Sequence, residues 1–174
     1  MAKPTLAEIE ERLWNDGVSA ESYDGSGEKY QAAILEQYKM YVDMADRISA
    51  RRGLTNTFFL TLNTAIFTLF GVLWKDSPDQ ISDAVLIVLL VVILGQCVTW
   101  WLLVRSYRLL NSAKYEVVGL LEKRLPSSPY WSAEWKALGE GKDRRLYIPL
   151  SHVEGWVPFF FAGAYVLGFV IATA

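Results

Sequence analysis

The stretch from Leu54 to Trp74, LTNTFFLTLNTAIFTLFGVLW, constrains this chain more than any other, because its 21 residues carry no charge. At about 1.5 Å of rise per residue such a helix crosses a hydrocarbon core of about 30 Å. It is not a plain apolar anchor. At about 100° per residue, Thr57, Thr61, Thr64 and Thr68 fall in one narrow arc, with Asn56 and Asn63 to one side. Phe58, Phe59, Leu62, Ala65, Ile66, Leu69, Val72 and Leu73 take the opposite half. A span with a polar stripe needs other helices or water on that face.

Two further apolar blocks follow, Ala84 to Val104 and Gly155 to Ala174. Hydrophobic residues make up 52% of the 174-residue chain and gather in these three blocks, unlike the spacing of a soluble core. The formal charge of −2 argues for no particular class of partner. The single cysteine, Cys97, lies inside a predicted span, which leaves no disulfide framework and no cysteine metal site. The first 30 residues are polar and acidic, unlike a cleaved signal peptide.

Taken in order, residues 1–28 read as an acidic cap helix and turn-rich linker, with Thr5 and Glu8 forming a capping box. Residues 29–53 read as a helix whose Ile34, Tyr38, Tyr41, Ala45 and Ile48 share a face, running without a break into the first span, 54–74. The second span is 84–104, with Trp100 and Trp101 as expected interfacial anchors, and 105–125 continues it on Leu110, Ala113, Val117 and Leu121 until Pro126. The two extensions are expected to pair as a cytoplasmic stalk. Residues 126–154 form an aromatic and basic loop, and 155–174 a third span, with a re-entrant segment as its rival. Within that third span Ala164, Gly168 and Ala172 set small side chains at helix-packing spacing. Arg47, Arg51 and Arg52 before the first span, and Arg105 and Arg108 after the second, place both ends on the cytoplasmic side. The N-terminus is then cytoplasmic and the C-terminus periplasmic. The fold class is all-α: a polytopic membrane protein with three transmembrane helices, long helices extending into the stalk, and a homo-oligomeric ring.

The runs YVDMADRISARRGLTNTFFLTLNTAI, RSYRLLNSAKYEVVGLLEKRLP and EWKALGEGKDRRLYIPLSHVEGWVP resemble the RipA-family octameric inner-membrane proteins of bacteria. The resemblance covers roughly residues 38–166 and omits the N-terminal helix. It implies an oligomeric protein of the bacterial inner membrane linked to envelope homeostasis. Relatives of similar architecture stand beside nucleotidyltransferases in antiphage systems, including the Hailong type, where a short single-stranded DNA made by the partner controls a channel-like effector. Neither resemblance brings catalytic residues or a cofactor.

The residues themselves point away from an enzyme. His152 has no second histidine or cysteine to share a metal, and Gly139-Glu140-Gly141-Lys142 lacks the spacing of a phosphate loop. No Asp, Glu, Lys, Arg or His lies inside a span. The pore-lining candidates are therefore Asn56, Thr57, Thr61, Asn63, Thr64 and Thr68, because a ring of about four to eight copies can enclose what three spans cannot. Tyr130, Trp131 and Trp135 offer stacking faces, and Lys142, Arg144 and Arg145 offer charge for phosphates, a combination suited to single-stranded nucleic acid. The expected function is a channel-like effector gated from the cytoplasm. The alternative is a structural membrane scaffold without a conducting pore.

Overall fold

The computed structural model describes residues 3–23, 25, 27–76, 82–142, 145, 147 and 153–173, the side chains of 73–76 excepted. Arg144, His152 and the acidic loop residue Asp79 lie outside them. Every regular element among the described residues is helical. Four helices dominate: α1 (Leu6–Leu13), α2 (Glu28–Asp76), α3 (Asp83–Glu122) and α4 (Val157–Thr173). The helices α2 and α3, of 49 and 40 residues, are each long and apolar enough to cross a membrane. With 17 residues, α4 reaches about 26 Å at the standard rise, close to the hydrocarbon thickness.

The described residues divide into two units, Met1–Ser49 with Leu109–Ile148, and Ala50–Arg108 with Pro149–Ala174. In the first unit, α2 buries Ile34, Ala45 and Ile48, and α3 buries Val118, Leu120 and Leu121. The α2 face is the one its three- and four-residue spacing dictates. That of α3 is not: Leu110 and Ala113 are exposed, while Asn111 and Lys114 turn inward. Asn111 donates to the Ser49 hydroxyl at 3.2 Å, and the Lys114 ammonium lies 4.8 Å from the centre of the Tyr41 ring. Polar pairs matched across the helices thus replace part of the expected apolar row.

The Thr5–Glu8 capping box forms: Glu8 accepts from the Thr5 amide at 2.7 Å, and the Thr5 hydroxyl accepts from the Glu8 amide at 3.3 Å. The Thr5 backbone amide first, and the Thr5 side chain beside it, hold the exposed Glu8 carboxyl below the usual carboxylate range. From this helix Glu10 accepts from Lys123, just past the end of α3, at 2.7 Å, and the Arg124 guanidinium lies 3.5 Å from the centre of the Trp14 ring. Lys3 pairs with Glu116. The N-terminal segment is therefore fastened at three points, to Glu116 of α3 and to Lys123 and Arg124 just beyond its end.

In the second unit α2, α3 and α4 pack through aromatic rings. Phe59 stacks on Trp100 with ring centres 5.5 Å apart, and Phe67 stacks on Tyr165 at 4.5 Å. Trp100 is only 1% exposed and its indole donates to Asn56 at 2.9 Å. This corrects the expectation of an interfacial anchor: the indole belongs to the packed interior of the unit. Arg105 lies over the partly exposed Trp101, 5.1 Å from its ring centre. Arg52 pairs with Glu154 at 3.1 Å.

Candidate functional site

The polar residues of the first span separate into two groups. Asn63 is 0% exposed. Its amide donates to the Phe59 carbonyl at 2.8 Å, and its side-chain oxygen accepts from the Tyr165 hydroxyl at 3.0 Å. Asn56 is bound to Trp100. Both asparagines thus satisfy helix–helix contacts inside the protomer, and a fully buried Asn63 presents nothing to water. The expectation that they line a pore is corrected for that reason.

Thr57, Thr61, Thr64 and Thr68 lie on the other side of α2 and are all exposed in the protomer. The packed side is set by Asn56, Phe59, Asn63, Ile66 and Phe67. The Thr64 hydroxyl donates to the Leu60 carbonyl at 2.8 Å, and that of Thr68 to the Thr64 carbonyl at 2.9 Å. A hydroxyl so bonded keeps an acceptor lone pair outward but withdraws its donor. Phe58, Leu69 and Val72, expected opposite the threonines, are exposed as well, so only a sector of α2 meets its own chain.

On α4, Ala164, Gly168 and Ala172 are partly buried. A Cβ built at Gly168 would meet no atom within 4 Å, so this glycine makes no close helix approach within the protomer. Ala164 and Gly168 instead border an apolar cavity of about 50 Å³ with Ile66, Phe70, Leu86 and Ile93.

In the first unit the sequence-predicted aromatics do come together. Glu122 ends α3, is 1% exposed, and accepts four hydrogen bonds. Its Oε1 receives the Tyr38 hydroxyl at 3.0 Å and the Tyr130 amide at 3.1 Å. Its Oε2 receives the Ser128 hydroxyl at 2.7 Å and the Trp131 amide at 3.0 Å. The two amides open a single π-helical turn, Pro129–Glu134, whose first N–H groups have no partner of their own. Burial and the bond to Glu122 push the Tyr38 hydroxyl above its ordinary range. Trp131 then lies directly over Gly119, where a Cβ would come within 2.5 Å of the indole, so only glycine admits the ring.

This arrangement opens a cleft of about 670 Å³ between the Ser112, Tyr115 and Glu116 row of α3 and the segment carrying Tyr130, Trp131, Glu134, Trp135 and Leu138, with Tyr147 at its side. Among the described residues its lining charges are the carboxylates Glu116 and Glu134, which the sequence reading missed. Of the expected phosphate contacts, Lys142 pairs with Glu140 at 2.5 Å and neither Lys142 nor Arg145 lines the cleft. The Tyr115 hydroxyl is held above its ordinary range by burial first, then by the negative charge of Asp46 and Glu134. The signal for the carboxylate wall was available: Ser112, Tyr115 and Glu116 share one face of a helix.

Comparison with protein families matches residues 35–174 to the octameric membrane protein family (8xMP). The chain belongs to that family. It is thus an oligomeric membrane protein, and the 8xMP match contains all of α3, α4 and the cleft, and nearly all of α2. It begins after α1 and its linker, so the segment bearing Lys3, Glu10 and Trp14 is additional to the matched 8xMP region. No curated protein and no solved structure matches the chain.

Proposed function

We propose that this chain forms an octameric ring in the bacterial inner membrane and acts as a channel-like effector gated from its cytoplasmic side. The observation that carries the reading is the threonine face. Thr57, Thr61, Thr64 and Thr68 form an exposed polar stripe on an apolar span, turned away from the chain's own packing. In a ring that stripe has a wet axis or a neighbouring subunit to meet, whereas Val85, Ile87, Val88, Val91 and Val92 of α3, all exposed and aliphatic, suit lipid. The basic residues Arg51, Arg52, Arg105 and Arg108 support three spans with a cytoplasmic N-terminus and a periplasmic C-terminus. The chain has no role here as an enzyme.

The resemblance to nucleotidyltransferase-linked effectors supports a place in antiphage defence and control by a short single-stranded DNA. The carboxylate lining of the aromatic cleft opposes a polyanion there, so an oligonucleotide would bind elsewhere on the cytoplasmic surface. Salt-dependent anisotropy with labelled oligomers tests that part separately.

A second reading, a structural scaffold with a dry centre, is favoured by one observation: Thr64 and Thr68 return their hydroxyls to their own backbone. Among the described residues Thr57 and Thr61 make no such bond. Planar-bilayer recording of the purified oligomer decides between the two. For a channel, Thr61→Val lowers conductance more than Thr64→Val, with the oligomer intact. Absence of conductance, with thiol reagents failing to reach cysteines placed at 57, 61, 64 and 68, establishes the scaffold.

A further inference from the structure

We propose that the aromatic cleft of the first unit binds an organic ammonium ion, and that Lys3, which pairs with Glu116 of the cleft wall, competes with that ion for the carboxylate. Five rings, Tyr115, Tyr130, Trp131, Trp135 and Tyr147, border the cleft, each partly open to it, and the Tyr115 and Tyr130 centres stand 6.5 Å apart. Aromatic faces are negative, and an ammonium held against several of them is attracted without strict directional demands. Glu116 and Glu134 add formal negative charge, and among the described residues no cationic side chain lines the space. Lys136, on the same short turn as Trp135, is not among the lining residues, and Lys142 is paired with Glu140. The volume of about 670 Å³ suits a small-molecule ligand.

A second observation identifies the charge of that ligand. Glu116, on the cleft wall, already accepts an ammonium: the Nζ of Lys3, from a residue 113 positions away. Lys3 lies in the segment that precedes the region matched to the family. Entry of a free ammonium displaces this contact and loosens one of the three fastenings of the N-terminal segment. The inference concerns the first unit alone and stands whether or not the membrane unit conducts.

The test uses the full-length oligomer in a maltoside detergent, free of choline headgroups, with choline as the probe and 3,3-dimethylbutan-1-ol as its neutral counterpart. Saturation-transfer NMR is expected to show binding of choline and not of the alcohol. Trp135→Leu and Glu134→Gln each weaken choline binding, the first by tenfold or more. Lys3→Ala strengthens it by about two- to fivefold, the range an exposed ion pair allows. Repeating the titration in phosphatidylethanolamine and phosphatidylglycerol nanodiscs identifies the source: weaker choline binding in the first alone means that an aminophospholipid headgroup is the natural ammonium. Equal binding of the neutral alcohol, or no binding by either wild type or Lys3→Ala, overturns the proposal. So does displacement of choline from the cleft by a short thymidine oligonucleotide.

Discussion

Replacing Glu122 with glutamine is the sharpest test of how the first unit is held. The substitution keeps the shape and exchanges one acceptor oxygen for an NH₂ donor. Each carboxylate oxygen of Glu122 faces one hydroxyl and one backbone amide: Tyr38 and Tyr130 on Oε1, Ser128 and Trp131 on Oε2. A hydroxyl can rotate and become an acceptor. A backbone N–H cannot, so either orientation of the glutamine sets its NH₂ against the amide of Tyr130 or of Trp131. A bond to a charged acceptor contributes about 1.5–3 kcal/mol, and stranding a buried N–H costs a comparable amount. The expected loss is about 3 kcal/mol, or roughly 6–12 °C in melting temperature for a chain of this size. Hydrogen exchange should accelerate over Pro129–Glu134, with Lys123→Gln as a neighbouring control. If melting moves by less than about 0.5 kcal/mol and exchange at Tyr130 and Trp131 stays slow, Glu122 does not cap the turn.

Gly119→Ala places a methyl carbon within 2.5 Å of the Trp131 ring and should cost about 1–3 kcal/mol; calorimetry should show most of that cost gone when Trp131→Ala is added, and an unchanged penalty would place the strain elsewhere. Asn63→Leu and Tyr165→Phe should be coupled, because Tyr165 donates to Asn63 at 3.0 Å. A double-mutant cycle should return about 0.5–2 kcal/mol, and strict additivity would remove that contact from the packing account. Tyr38 and Tyr115 hold their protons above the ordinary range, so their contribution to stability is complete below pH of about 10 and is lost as pH rises through their folded values. Absorbance at 295 nm should show tyrosines titrating late in the folded protein, one fewer in Tyr38→Phe; a single ordinary titration would contradict the burial.

The sequence made much of the architecture legible, because long apolar runs and a capping box act locally. The α2 face of Ile34, Tyr38, Tyr41, Ala45 and Ile48 followed from periodicity alone. Periodicity failed on the extension of α3 beyond its apolar block, where Asn111 and Lys114 face inward because Ser49 and Tyr41 answer them. A polar residue reads as exposed until its partner is known. The same reasoning explains Asn56 and Asn63, whose partners Trp100 and Tyr165 stand 44 and 102 positions away. Glu122 was hidden in the same manner, as one charge beside Lys123 and Arg124, although its place directly after Val118–Leu121 marked it as the edge of a buried row. For the cleft, Tyr130, Trp131 and Trp135 stood out by type. Its acidic wall did not, since α3 supplies half of it.

The cavity beside Gly168 makes volume a thermodynamic variable of the membrane helices. Its lining is almost wholly apolar and partly open, so whatever part of it lipid or a neighbouring subunit leaves unfilled offers water little to bond and stays dry. Unfolding or repacking that eliminates a void reduces the volume of the system, and compression drives the bundle in that direction. Hydrostatic pressure should therefore loosen α4 at Ala164 and Gly168 before it disturbs the ring stacking at Phe59 and Trp100. Filling the space with Gly168→Ala should make the bundle less compressible.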